Sequence, residues 1–236
     1  MIRPRIVLIH SPFVGPSTWT QVARTLRRLG WDVPEPVRAA PQDVEPPYYP
    51  RLARRIASHI GADAPAPLVI IAHSGAGALL PSVVEAFGSK VSAAILVDAI
   101  LPHPERSWFQ AAPRDLAAHL RVRIVDGLIP PWDQWFPPEI LVRLLPGAAA
   151  RSAFVADLEA VPVAYCDEPA PVCPPWPPPS CGYLQLSDGY TDEAEAAASM
   201  GWLFRRDIIH HLATLTHPDR VAGSLHSMIR ALTDSP

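Results

Sequence analysis

The sequence predicts an α/β fold, in which a mostly parallel sheet carries helices on both faces and an inserted cap covers the ends of the strands. Runs of strand type alternate with amphipathic helical stretches along residues 1–100, and the same alternation returns along residues 181–236. This order is typical of parallel strands joined by helical crossovers. Between residues 101 and 180 the alternation stops, and aromatic residues and prolines accumulate. We therefore expect a core formed by residues 1–100 and 181–236, and a cap formed by residues 101–180.

Length, composition and charge exclude several classes of protein. The chain has 236 residues, 49% of them hydrophobic, which suffices for one large core. Its net charge of −3 provides no basic surface for nucleic acid. The longest apolar runs, around residues 67–72 and 91–101, are shorter than the roughly 20 residues of a membrane span. The amino terminus lacks the apolar segment of a signal peptide, so we expect a cytoplasmic protein without a nucleic-acid or membrane partner. Its oligomeric state is left open.

The cysteines and the paired histidines do not indicate a metal or a disulfide framework. Cys166, Cys173 and Cys181 are odd in number and lie in one proline-rich stretch, so reduced thiols are expected. His210 and His211 lack the closely placed further ligands that a zinc site requires. We expect neither a metal nor a cofactor.

The individual elements follow from hydrophobic periodicity and from capping and breaking residues. Thr191 is expected to cap the helix that it begins. The connector at residues 169–179 is expected to be extended and of polyproline character. In chain order we predict strand 6–9, helix 19–29, strand 31–33, helix 51–60, strand 68–71, helix 78–87, strand 92–97, helices 113–121, 138–145 and 149–159, strand 183–186, helix 191–200, strand 203–209 and helix 218–232.

Ser74 stands where the strand at residues 68–71 turns into a helix. A serine on such an elbow projects its hydroxyl from a tight turn, and the backbone N–H groups that follow it face a developing oxyanion. Large side chains two residues before or after this serine would collide with the adjoining strand and helix. Ala72 and Ala76 meet this requirement, although the usual elbow has glycines there. The alternative is a serine that only caps the following turn.

A nucleophilic serine requires a base, and the base requires an acid that orients it. In parallel sheets, sites form at the carboxyl ends of the strands. His10, Ser74 and Asp98 all follow predicted strands, and the paired histidines 210 and 211 follow the last one. The order along the chain is therefore serine, acid, histidine.

Three separate stretches carry a resemblance to a known family. The first is His10-Ser11 followed by Gly15 and Trp19, the second is residues 72–76, and the third is residues 211–215 followed by Pro218 and Val221. They resemble the oxyanion loop, the nucleophile elbow and the terminal histidine motif of α/β-hydrolases. By eye the nearest branch is that of the plant-type methylesterases and hydroxynitrile lyases. The resemblance covers the chain except the cap and implies the α/β-hydrolase fold.

The resemblance implies a catalytic triad that contains Ser74 and His211. His211 is favoured over His210 because the family places the base directly before the Leu-x-x-Leu start of the last helix. His10 and His73 are expected to be structural, forming hydrogen bonds with loops around the elbow.

Two aspartates compete for the role of the triad acid. Asp188 follows the strand that ends at residue 186, which is the commonest location in the family. Asp98 matches an alternative location, one strand earlier, that is seen in some haloalkane dehalogenases. We favour Asp98, because Asp188 crowds its strand end and, with Gly189, is typical of a turn.

Pro12 is the main departure from the family pattern. The family uses the backbone N–H of this residue as an oxyanion donor, and proline has none. The remaining candidates are the N–H of Gly75, the N–H of Phe13 and the hydroxyl of Ser11. Loss of one such donor typically slows acyl transfer by about 10²–10³. Hydroxynitrile lyases use a hydroxyl at the position of Ser11, so the departure also suits non-hydrolytic chemistry.

These observations leave three functions open. The first is a serine hydrolase that acts on an ester, thioester or lactone of a small apolar or polyketide-like molecule. The second is a lyase, cyclase or isomerase that uses the same triad for acid–base chemistry, and the third is a ligand-binding protein without activity. Trp108, Trp132 and Trp135 of the cap are expected to include a wall of an apolar substrate pocket near Ser74.

Overall fold

A five-stranded parallel sheet forms the centre of the computed structural model, which describes residues 3–61, 67–174 and 176–233. Its strands, numbered along the chain, are β1 (Arg5–Ile9), β2 (Leu68–His73), β3 (Val91–Val97), β6 (Ser180–Gln185) and β7 (Leu203–Arg206). They lie in the order β1-β2-β3-β6-β7, and every neighbouring pair is parallel. The predicted fold class is confirmed.

Helices cover both faces of this sheet, because successive side chains of a strand point to opposite faces. In β1, Ile6 and Leu8 belong to one buried apolar cluster, whereas Val7 and Ile9 belong to the other. The helices on the side of Ile6 are α1 (Ser17–Arg28), α10 (Ala213–Thr216) and α11 (Pro218–Thr233). Those on the side of Val7 are α2 (Tyr48–Ile60), α3 (Leu80–Phe87) and α9 (Thr191–Ser199).

The predicted strand at residues 31–33 is wrong. Only Asp32 forms a bridge, to Arg5, while Trp31 and Val33 are buried in the cluster beside α1 without forming a strand. Gly30 has a positive φ of 86° just before this segment, and Pro34 follows it. Since proline offers no N–H to a neighbouring strand, the segment is too short to extend the sheet.

Several other predicted ends differ in detail; the strand expected at 203–209, for example, ends at Arg206, and the helix expected at 51–60 begins at Tyr48. Residues Ser74–Leu79 form a 3-10 turn before α3 begins at Leu80, because the elbow is too tight for an α-helix to start at residue 78. Thr191 does not cap α9 but is its first residue, and its hydroxyl donates to the carbonyl of Asp188 at 2.9 Å. The residue at the helix cap is Tyr190.

The chain between β3 and β6 is an insertion, which we define as residues 101–179. The predicted helices at 113–121, 138–145 and 149–159 are present, the last one ending earlier, at Val155. The described residues of 169–179 contain no helix or strand, as expected of an extended connector. The elements of the insertion are α4 (Trp108–Ala111), α5 (Arg114–Arg121), β4 (Leu128–Ile129), α6 (Pro138–Leu144), α7 (Ala148–Val155), β5 (Val161–Pro162) and α8 (Val163–Asp167), with β4 and β5 antiparallel.

Two carboxylates of the insertion bind the amino ends of core helices. Glu168 accepts the N–H of Tyr48 at 2.7 Å and that of Tyr49 at 3.2 Å, at the start of α2. Asp157 accepts the N–H of Ser17 at 3.0 Å, at the start of α1. Neither helix has a capping side chain of its own. The insertion therefore satisfies backbone donors that the core leaves free.

Three buried cysteines, Cys166, Cys173 and Cys181, are free thiols. Within the part of the chain that the structure describes, no helix combines the length and the apolar character that crossing a membrane requires.

Candidate active site

Ser74 lies in a strained turn directly after β2. Its φ of 58° is in the left-handed region, which residues with a side chain rarely adopt. The turn packs closely on the segment after β3: the N–H of Ile100 donates to the carbonyl of Ser74 at 3.2 Å, and a Cβ on Gly77 would stand 1.9 Å from the carbonyl oxygen of Ile100. Gly77 therefore permits the elbow to approach the strand end that carries Asp98.

A continuous line of hydrogen bonds joins Ser74, His211 and Asp98. The Nε2 atom of His211 is 3.0 Å from Ser74 Oγ, and its Nδ1 atom is 2.8 Å from Asp98 Oδ2. The three residues come from three different places in the chain, namely the ends of β2 and β3 and the loop that follows β7. The imidazole can accept the hydroxyl proton on one nitrogen while the carboxylate fixes the proton on the other.

Asp98 is fully buried, and its carboxylate reaches across from β3 to the end of the neighbouring strand β6. Oδ1 accepts the N–H groups of Leu186 and Ser187, both at 2.9 Å, and Oδ2 accepts the hydroxyl of Ser187 at 2.6 Å. Burial acts to raise the pKa of this carboxyl, but the hydrogen bonds from His211, Ser187 and Leu186 outweigh it and hold the pKa below its ordinary value. Asp98 is therefore a charged acceptor for His211.

The competing candidates lie elsewhere. Asp188 is exposed in the turn that precedes α9. His210 interacts with Thr216, whose hydroxyl is 2.9 Å from its Nε2, and does not take the place of His211 beside Ser74. The structure thus brings Asp98 and His211 to the serine and leaves the alternative acid and the alternative base in other contacts.

His10 and His73 are buried histidines that interact with the backbone around the site. His10 is buried, with Nδ1 2.8 Å from the carbonyl of Ser11 and Nε2 accepting the N–H of Ala39 at 3.0 Å, which ties two loops together. The Nε2 atom of His73 is 3.1 Å from the carbonyl of His211, and the two rings stack with centroids 4.7 Å apart. Burial lowers the pKa of His73 to about 3, with His211 adding to the effect, so this ring stays neutral.

Tyr190 is a residue of the site that the sequence patterns do not predict. Its hydroxyl is 3.3 Å from Ser74 Oγ, and its ring lies nearly parallel to that of His211, with centroids 5.0 Å apart and an angle of 11°. Its position in the sequence, two residues past Asp188 at a strand end, could have marked Tyr190 as a candidate site residue. That position does not show in which direction the side chain points.

The region around Gly75 contains the candidate oxyanion donors. Ser11 is buried, and its hydroxyl oxygen accepts the N–H of Phe13 at 3.4 Å. A Cβ on Gly75 would stand 2.9 Å from this hydroxyl and 3.2 Å from the ring of Phe13, so a side chain at this position would displace Ser11 or Phe13. Pro12 is buried next to them. Gly75 and Phe13 line the cavity beside Ser74, whereas Ser11 and Pro12 are not among its lining residues.

An apolar cavity of about 420 Å³ opens beside Ser74 and His211. Trp108, Trp132 and Trp135 all line it. Its polar lining includes Glu193, whose pKa is raised by burial, and Arg143 near the solvent. A larger hollow of about 880 Å³ lies elsewhere on the insertion, but none of the three hydrogen-bonded residues lines it. We assign the candidate site to the smaller cavity because Ser74 and His211 line it.

Phe13 connects the oxyanion region with the insertion. Its ring contacts Trp135, Trp108 and Tyr165, with centroids 4.9, 5.0 and 6.0 Å away. The cavity wall is thus continuous with the core. Among the described residues, no cluster of three or more histidine, cysteine, aspartate or glutamate side chains could hold a metal ion.

Comparison with solved structures identifies the fold. The chain superposes on an extracellular α/β-hydrolase from a Paenibacillus species, described as sharing structural and functional homology with tobacco salicylic acid binding protein 2. The TM-score is 0.77 at 18% identity, covering 95% of this chain and 98% of that one. A variant of tomato methylketone synthase I with bound β-ketoheptanoate gives a TM-score of 0.71 at 14% identity, covering 99% and 100%. A polyneuridine aldehyde esterase variant gives 0.66 at 15% identity, covering 96% and 99%.

These similarities confirm the α/β-hydrolase fold and the likeness to structures of the plant methylesterase branch. At these levels of identity they describe the fold alone. No family model and no curated protein sequence matches the chain.

Proposed function

We propose that this chain, which has the α/β-hydrolase fold, is a serine hydrolase that cleaves an ester, thioester or lactone of a small apolar or polyketide-like molecule. The observation that carries the proposal is the hydrogen-bonded line Asp98–His211–Ser74, which opens into an apolar cavity. A half-buried serine on a strained elbow, a base at 3.0 Å and a buried acid behind the base are the parts that acyl transfer requires.

In the proposed mechanism, Ser74 Oγ attacks the carbonyl carbon of the substrate while His211 Nε2 takes the hydroxyl proton. Asp98 stabilises the imidazolium that forms, and the N–H of Gly75 donates to the oxyanion. When the carbon–oxygen bond of the leaving group breaks, the departing oxygen takes the proton from His211. Water then attacks the acyl-enzyme by the same route and releases the acid, so the cycle needs no cofactor.

The cavity supports an apolar acyl or alkyl group as the recognised part of the substrate. Three tryptophans and Phe13 form much of its wall, and tryptophan and phenylalanine walls favour bulky, uncharged groups. In this proposal the insertion serves as the cap that residues 101–180 were expected to form. The partner is a small molecule.

Pro12 favours a second candidate, a lyase, cyclase or isomerase that uses the same three residues for proton transfer without acylation. Pro12 has no N–H, and the N–H of Phe13 points to the hydroxyl of Ser11. The N–H of Gly75 is then the backbone donor that remains for the oxyanion. Weak stabilisation of the oxyanion slows acyl transfer more than it slows simple proton transfer.

A fluorophosphonate probe separates the two candidates. The proposed hydrolase should gain one covalently bound probe per chain on Ser74, seen by intact mass and peptide mapping, and Ser74→Ala should gain none. The wild type should also release 4-nitrophenol from 4-nitrophenyl esters. A folded wild type that remains unlabelled and inactive on esters would overturn the hydrolase proposal and favour proton-transfer chemistry or ligand binding.

A further inference from the structure

Tyr190 occupies a position at the reacting atoms that the mechanism above leaves without a role. It ends the short 3-10 turn Asp188–Tyr190 after β6 and lines the cavity. The rings of Tyr190 and His73 both stack against that of His211, with centroids 5.0 and 4.7 Å away and interplanar angles of 11° and 27°. The orientation of His211 therefore depends on Tyr190 as well as on Asp98.

The hydroxyl of Tyr190 is a hydrogen-bond donor to Ser74. Ser74 Oγ gives its own proton towards His211 Nε2 at 3.0 Å, so at 3.3 Å from the phenol it can only accept. Burial raises the pKa of the Tyr190 phenol, which therefore keeps its proton across the neutral range. Among the residues that line the cavity, Tyr190 is the one tyrosine.

The side of Ser74 on which this hydroxyl lies determines which oxygen it can serve. In the tetrahedral intermediate, the oxyanion and the leaving-group oxygen are both bonded to the carbon that Ser74 Oγ has attacked. The leaving-group oxygen must lie within reach of His211 Nε2, because it takes its proton there. The phenol is stacked on His211 and so lies on that side. In the proposed mechanism the oxyanion has a separate donor, the N–H of Gly75.

We propose that Tyr190 is a further catalytic residue, whose hydroxyl donates a hydrogen bond to the leaving-group oxygen. This inference rests on the proposed hydrolase function. As the bond between the acyl carbon and this oxygen breaks, its electron pair moves to the oxygen. His211 Nε2 transfers the proton, while Tyr190 donates a hydrogen bond and retains its own proton. In the free enzyme the same hydroxyl is bound to Ser74 Oγ and is thus already in position.

The test compares leaving groups in Tyr190→Phe, which keeps the ring stacked on His211 and removes the hydroxyl. The substrates are the 4-nitrophenyl ester and the ethyl ester of the same apolar acid. 4-Nitrophenolate departs without a proton, whereas ethoxide needs one. The variant should lose about tenfold or more in kcat/KM on the ethyl ester, the scale of one hydrogen bond to a charged group, and at most about twofold on the nitrophenyl ester.

The outcomes separate this inference from its alternatives. Equal losses on both esters would mean that Tyr190 serves the oxyanion or only orients His211, and would overturn the proposal. Unchanged rates on both esters would mean that Tyr190 only lines the cavity, and would also overturn the proposal. If the wild type cleaves neither ester, the hydrolase proposal fails first and this inference fails with it. Tyr48→Phe, which removes the hydroxyl of a buried tyrosine that does not line the cavity, is the matched control and should leave both rates unchanged.

Discussion

The sheet core and the insertion contribute different residues to the same cavity: the core supplies the hydrogen-bonded polar groups, and the insertion supplies an apolar wall. The core supplies Ser74, Asp98 and His211 from strand ends and the loop after β7, so their spacing depends on the register of neighbouring parallel strands. The insertion supplies the tryptophan wall, and its short elements rest on the core through aromatic contacts and two carboxylates. Changes at these three residues should therefore remove turnover with little effect on folding, and changes in the insertion should alter substrate preference or stability.

The largest effect should come from removing the nucleophile. Ser74→Ala should reduce kcat by about 10⁶, the scale seen when the serine of a Ser-His-Asp hydrolase is replaced. Since its side chain opens into the cavity and leaves the core packing intact, the melting temperature should hardly change. His211→Ala should be similarly damaging, and the double variant little worse than either, because the residues act as a unit. A His210→Ala variant that loses as much as His211→Ala would contradict our choice of base.

Replacing the proposed acid, Asp98, tests whether residues of the sheet core determine turnover. Asp98→Asn removes the charge that stabilises the imidazolium and should lower kcat by about 10⁴, as in the serine protease series. Asp188→Asn, at an exposed position with no contact to His211, should stay within about twofold on the ordinary scale of surface changes. Steady-state kinetics on one ester, with thermal melts to check folding, would decide this. Comparable losses in both variants would mean that the acid is shared or exchanged.

The core is also the part that the sequence predicts best. Its strands and long helices are fixed by apolar periodicity, and the positions of Ser74 and His211 follow from strand ends and motifs. The choice between Asp98 and Asp188 does not, because both follow strands. It depends on β3 and β6 being neighbours, so that the carboxylate of one can accept the N–H groups at the end of the other.

The rest escapes prediction for physical reasons. Helices α4 and α8 span only 4 and 5 residues, too few to show a period of 3.6. Tyr190 follows a strand, as the predicted site residues do, but only the turn before α9 directs its ring onto His211. The departures at residues 31–33 and at Thr191 likewise come from backbone geometry that composition does not specify.

Within the insertion, the wall should affect which substrate is accepted and leave the chemistry intact. Trp132 is half-buried and lines the cavity together with Ser74 and His211. Trp132→Ala should lower kcat/KM for long or bulky acyl esters by about 10–100-fold, the range for lost hydrophobic pocket contacts, and leave acetyl esters within about twofold. An acyl-length series of 4-nitrophenyl esters would measure this. Trp202→Ala, a half-buried tryptophan that does not line the cavity, is the control and should keep the wild-type length preference.

The smallest effect should come from the contacts that hold the insertion on the core. Glu168→Gln removes the negative charge at the start of α2, where it accepts the N–H groups of Tyr48 and Tyr49. The free energy of unfolding in urea should fall by about 1 kcal/mol, the usual value of a helix cap with its dipole contribution. Asp157→Asn, which faces the single N–H of Ser17, should cost less.

Both carboxylates bind the amino ends of helices and not Ser74, so kcat/KM should be unchanged in either variant. A loss of stability accompanied by a loss of preference for long acyl chains would show that these two carboxylates also determine the shape of the cavity wall. If Glu168→Gln unfolds at the same urea concentration as the wild type, the aromatic contacts between Phe13 and the insertion would be sufficient to hold it. In that case Trp135→Ala, which removes the contact at 4.9 Å to Phe13, should be the variant that loosens the insertion.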